Sequence, residues 1–142
     1  MAYSRPTDEI CADSVKNILV EAGFETTPGV DETCFFVKDP EGGLTFTCDL
    51  ENDILYNTVC CVEIEERVLT PDMMRILLDA ENGISTSSFQ TIKKSSGTLI
   101  LTLNNFCKLQ DLGPEDKDDI LSCLEFLNLD VLAARDLLSS FL

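Results

Sequence analysis

Along this chain the spacing of apolar residues alternates between the three-to-four of a helix and the two of a strand. Each change of period falls at a turn signal. The resulting order is helix, three strands, helix, two strands, helix. An α-β-β-β-α-β-β-α chain belongs to the α+β class, with an antiparallel sheet packed by helices, because strands that follow one another through short turns pair antiparallel. The 142 residues suit one domain, so residues 1–142 are read as a single domain with a short frayed start over residues 1–6.

The first helix is expected from Thr7 to Ala22. Thr7 is the N-cap, Asp8 and Glu9 sit at the positive end, and Cys11, Val15, Ile18, Leu19 and Ala22 form one apolar stripe. Gly23 closes it. A strand over Cys34–Val37 ends at Asp39-Pro40-Glu41-Gly42-Gly43. The next, Leu44–Leu50, alternates cleanly, with Leu44, Phe46, Cys48 and Leu50 on one face and Thr45, Thr47 and Asp49 on the other. Glu51-Asn52-Asp53 turns the chain into a long strand from Ile54 to about Glu63, apolar on both faces in places. Strands over Phe89–Lys94 and Thr98–Leu103 read as a hairpin with a three-residue loop, Ser95-Ser96-Gly97. A last helical region starts near Glu115 and runs to the C-terminus, and Asn128 to Asp130 offers a point that would divide it in two.

The second helix carries the strongest hint of function. Thr70-Pro71-Asp72 opens it and Asn82-Gly83 ends it. Its polar residues Asp72, Arg75, Asp79 and Asn82 make one narrow stripe, and Met73, Met74, Ile76, Leu77, Leu78 and Ala80 fill the rest. A helix apolar over most of its circumference is buried on more than one side. One sheet face covers only one of those sides, so a second copy of the chain is expected to cover the other.

The net charge is -16, from 26 acidic and 10 basic residues. Residues 25–53 carry eight acids and one base, and residues 111–142 eight acids and two bases. Residues 84–110 carry three lysines and no acid. Such a chain repels nucleic acid and anionic lipid, which need clustered cations. No apolar run approaches the length of a membrane span. Seven cysteines (Cys11, Cys34, Cys48, Cys60, Cys61, Cys107 and Cys123) fall mostly on apolar positions. Their odd number and the lack of a signal segment point to reduced thiols in the cytoplasm.

Catalytic patterns are missing. The chain has no histidine, no CxxC pair and no phosphate loop, since a strand and not a helix follows Gly42-Gly43. Asp116, Asp118 and Asp119 lack the glycine and distal glutamate of a calcium loop. No enzyme activity, metal or cofactor is therefore expected. Lys93-Lys94 reads as a solubilising pair at a sheet edge, or as the one attractive spot for an acidic partner.

The stretch LTPDMMRILLDAENGIS followed by SSFQTIKKSSGTLILTLNNF, together with the element order and small acidic character, resembles the class I (Tir-chaperone-like) type III secretion chaperone fold. That fold is shared with the YbjN-like family of candidate sensory-transduction regulators. The resemblance covers residues 7–142, and the seven cysteines depart from it. It implies a homodimer with contacts around Met74, Leu77, Leu78, Phe89 and Ile92. It also implies a held partner polypeptide with contacts around Phe35, Phe36, Phe46 and Leu55. The expected function is a non-enzymatic protein-binding module that acts as a dimer. The alternative is a small-molecule-binding module with a cavity between the sheet and the first and third helices.

Overall fold

The computed structural model describes residues 10–142. The expected frayed start, the Thr7 cap and the flanking Asp8 and Glu9 lie outside these residues. Three α-helices are present among the described residues: α1 (Ala12–Glu21), α2 (Pro71–Leu77) and α3 (Pro114–Leu138). The strands are β1 (Glu25–Pro28), β2 (Cys34–Lys38), β3 (Thr45–Glu51), β4 (Ile54–Glu65), β5 (Ser88–Lys93) and β6 (Thr98–Lys108). They form a six-stranded antiparallel sheet in the order β1-β2-β3-β4-β6-β5. The α+β class stands, with one strand more than the periodicity predicts. Contacts along the chain group into two compact units, one of residues up to 57 with 106–124 and one of residues 58–105 with 125–142.

In the first unit, α1 buries Ala12, Val15, Ile18 and Leu19. Cys11 is its N-cap and makes no side-chain cap bond. Cys11 and Ala22, expected on the apolar stripe, are exposed at the two ends. Gly23, at φ +100°, ends the helix, and the Phe24 N–H donates to the Leu19 carbonyl at 3.0 Å. The chain then enters β1, which has no apolar alternation to announce it. Backbone pairing with β2 holds it, with Thr27 opposite Phe36, and Pro28 suits an edge strand. Gly29 has to be glycine, because a Cβ there would lie 2.5 Å from the Cys34 carbonyl oxygen. Asp31 braces the same turn, accepting bonds from the Thr33 hydroxyl and from the Thr33 and Cys34 N–H groups. These bonds, the Thr33 hydroxyl first, hold its carboxyl below the usual range.

Phe35 and Val37 of β2 and Phe46, Cys48 and Leu50 of β3 form the core face, as alternation predicts. Asn52, at φ +57°, makes the turn into β4. Leu55 and Asn57 continue the buried face, and Asn57 accepts a bond from the Cys48 thiol at 3.3 Å. From α3 this unit receives buried Ile120 and Leu124. Asp116, buried in the first turn of α3, accepts N–H bonds from Gln110, Asp111 and Leu112 at 2.7, 2.9 and 2.7 Å, and so fixes the loop that enters the helix.

In the second unit, β4 buries Val59, Cys61 and then Ile64, so its alternation slips after Cys61 and the strand runs past the expected Glu63 to Glu65. The hairpin of β5 and β6 has the expected loop. Gly97 takes φ +87° and the Lys94 N–H donates to the Thr98 carbonyl at 2.9 Å. β6 continues to Lys108, beyond the expected Leu103. Leu127, Val131, Ala134 and Leu138 of α3 are buried here, and the helix passes Asn128–Asp130 without a break. It survives there because Asp130 spends its carboxylate on another segment rather than on its own backbone.

Candidate functional site

α2 is shorter than its apolar pattern suggests. The Thr70 hydroxyl accepts from the Met73 N–H at 3.2 Å and Pro71 occupies the first turn, which fixes the start. The end comes at Leu77 because Asn82 reaches back. Its side-chain amide donates to the Leu77 carbonyl at 2.6 Å, and its oxygen accepts from the Ile84 N–H at 2.9 Å. Asp79 takes the Glu81 N–H at 2.8 Å. These bonds replace the ones a longer helix would make.

Within the seven residues of α2, Met73 and Leu77 are buried and Met74 and Ile76 are 40% exposed. Leu78, just past the end, is 79% exposed. Met74, Leu77 and Leu78 line an open groove of about 220 Å³ together with Leu69, Phe89 and Leu101. β5 forms one wall and is the last strand of the sheet, exposed along most of its length. Four of the five residues expected at a dimer contact therefore gather at one place. Ile92 does not join them. It pairs with Ile100, whereas Phe89 pairs with core-facing Leu103, so Ile92 points to the opposite face of the sheet, 50% exposed.

A buried carboxylate sets the position of β5. Asp130 accepts from the Ser85 hydroxyl and N–H at 2.9 and 3.0 Å, from the Thr86 N–H at 3.4 Å, and from the Ser87 hydroxyl and N–H at 2.6 and 3.3 Å. Burial alone would raise its pKa, but the Ser87 and Ser85 bonds outweigh that and hold it below the usual carboxylate range. At the far end of β5, Lys93 pairs with Glu66 at 3.4 Å and Lys94 with Glu63 at 2.7 Å. The Lys94 bond, then the Thr98 bond, lower the Glu63 pKa. The two lysines are thus matched within the chain and are not a cationic patch.

The residues expected to touch a partner polypeptide need correcting. Phe35, Phe46 and Leu55 have no exposed surface and belong to the core. Strand alternation explains this: Phe35 and Phe46 share the face that Val37 and Cys48 bury, and only Phe36 turns the other way, half-buried. The outward face of the first unit instead shows Tyr56 and Phe106, 39% and 65% exposed, with ring centroids 6.0 Å apart. Sequence reading passed over this pair. Tyr56 follows core-facing Leu55, so alternation alone would have placed it outside.

Among the described residues, no three His, Cys, Asp or Glu side chains are grouped as a metal would need, and no helix is long and apolar enough to cross a membrane. All seven cysteines are free. Burial pushes the Cys61 thiol up to about 12, and Cys48 higher still. Cys107 donates its thiol to Cys123, which holds its proton firmly and lowers the Cys123 pKa. A hollow of about 260 Å³ beside α1 is lined largely by polar groups, Ser14, Asn17, Glu21 and Lys117 among them, and offers little to an apolar ligand.

No family model and no curated protein matches the sequence. Among solved structures, the crystal structure of YbjN from E. coli superposes with a TM-score of 0.65 at 15% identity, over 87% of this chain and 90% of that one. This is a likeness of fold. The chain has the YbjN-like α+β fold.

Proposed function

We propose that the chain is a non-enzymatic protein-binding module of the cytoplasm that works as a homodimer and holds a partner polypeptide, in the manner of a secretion chaperone or a YbjN-like regulator. YbjN itself is described as a candidate transcription regulator. One observation carries the reading: the α2–β5 groove leaves Met74 and Leu78 exposed beside an open sheet edge. Contiguous apolar surface of this kind marks an interaction site.

Charge favours a second copy as its occupant. Residues 84–110 are the long acid-free stretch in a chain of net charge -16, and the two lysines of β5 and its loop are already paired with Glu66 and Glu63. The residues that line the groove carry no charge, so two copies meeting there bring fewer like charges together than the acidic surface elsewhere would. A two-fold contact also presents the same apolar residues twice. Light scattering on the purified chain tests this. The expected mass is twice that of one chain, and Met74→Glu should halve it. A wild-type monomer at high concentration would refute the dimer.

A further inference from the structure

The groove at α2 and β5, assigned above to a second copy, leaves the partner without a surface, since three of the four residues expected there are in the core. We propose that the partner polypeptide docks on the outward sheet face of the first unit, centred on Tyr56 and Phe106, and that the docked segment carries an apolar side chain flanked by lysine or arginine. This rests on the reading of the chain as a protein-binding module.

An isolated exposed hydrophobe needs no explanation. Here two aromatic rings on neighbouring strands lean on each other at 41°, with Phe106 two-thirds exposed, and Ile54 lies two residues from Tyr56 on the same face. Packed aromatic pairs of this sort supply rigid contact area with little entropy to lose.

The surrounding charge selects the occupant. On β3, Asp49 and Glu51 alternate with buried Cys48 and Leu50 and so turn to this outward face. Asp53 follows in the turn, but Lys108, two residues from Phe106 on the same face, lies 3.9 Å away and offsets it, so Asp49 and Glu51 carry the negative charge here. Of the eight acids in residues 25–53, these two are the ones that alternation along β3 turns to this face. A second copy brings the same acids and is repelled. A basic segment is attracted, and its cations can also lie over the open ring faces.

Panning a phage-displayed random dodecapeptide library against the full chain tests this, followed by fluorescence anisotropy with the best peptide. The selected peptides should be rich in Lys and Arg around an aromatic or aliphatic residue. Affinity should fall at least tenfold in Phe106→Ser, fall likewise in the exposed-site variant Glu51→Lys, and weaken as salt rises. Met74→Glu should lose the dimer yet bind the peptide normally. A wild-type monomer that still binds through Phe106 would remove the dimer and leave this proposal standing. Four results would overturn it: selection of acidic or charge-neutral peptides, unchanged affinity in Phe106→Ser, loss of peptide binding in Met74→Glu, or loss of the dimer in Phe106→Ser.

Discussion

Leu77 and Leu78 are neighbours in sequence with opposite expected behaviour. Leu78 is 79% exposed in the single chain, so a dimer built on the α2–β5 groove would bury most of it. Full burial of a leucine is worth ~1.5–3 kcal/mol, so four fifths of it is ~1.2–2.4 kcal/mol, and about twice that for the pair of copies. Replacing Leu78 by glutamate removes this and places a carboxylate against apolar surface. At about 1.4 kcal/mol per tenfold, the dimer should weaken at least about fifty-fold. The isolated chain should barely notice, because an exposed substitution shifts stability by about 0.5 kcal/mol or less. Leu77, only 4% exposed, reverses the pattern: Leu77→Ala opens a cavity and should cost ~2–5 kcal/mol of folding stability. Sedimentation equilibrium across concentration gives the association constant, and urea unfolding at low concentration gives the stability. If Leu78→Glu associates like the wild type, the groove is not where two copies meet. If it destabilises the single chain as much as Leu77→Ala does, Leu78 is not the surface residue described.

Asp130→Ala strips five accepted hydrogen bonds from residues 85–87 and should cost ~3 kcal/mol in urea unfolding, with Asp130→Asn costing less. Since the Asp130 pKa is lower folded than unfolded, its contribution is complete above the ordinary carboxylate value and is lost as pH falls through the depressed one. Acid unfolding of the wild type should therefore steepen there, and that step should be missing in Asp130→Ala. The thiols predict the alkaline side. Cys48 and Cys61 ionise later folded than unfolded, so stability should decline as pH rises above about 9, and Cys61→Ala should flatten that decline. In native protein, exposed Cys11 should react with an alkylating reagent first and buried Cys48 last, as read by peptide mass spectrometry.

Much of the fold was legible because most elements obey their period. Leu44–Leu50 alternates cleanly and stands as β3 shifted by one residue, with Leu44 left just outside it, and Ser95–Gly97, a hairpin loop by composition, stands as expected. β1 was not legible. Glu25, Thr26, Thr27 and Pro28 bury almost nothing, so only main-chain pairing with β2 makes them a strand. The end of α2 was missed for a similar reason: Ala80 extends the apolar pattern, but Asn82 and Asp79 capture the backbone first. The excess of apolar residues on α2 did point to the exposed flank at Met74 and Leu78. Ile92 rests on the resemblance alone, and the register of β5 turns it to the opposite side of the sheet from Phe89. The buried phenylalanines were assigned to a partner by the resemblance alone, against the alternation that puts Phe35 and Phe46 inside.

Intermolecular nuclear Overhauser effects reach the central claim most directly. One sample mixes chains carrying ¹³C-labelled Met and Leu methyls with unlabelled chains, and isotope filtering keeps only contacts between copies. The account predicts cross-chain signals at the Met74 and Leu78 methyls, with Phe89 ring protons among their partners. Signals confined to the other exposed leucines, Leu129 and Leu132 on α3 and Leu142 at the C-terminus, or no intermolecular signal at a concentration where scattering reports a dimer, would contradict it.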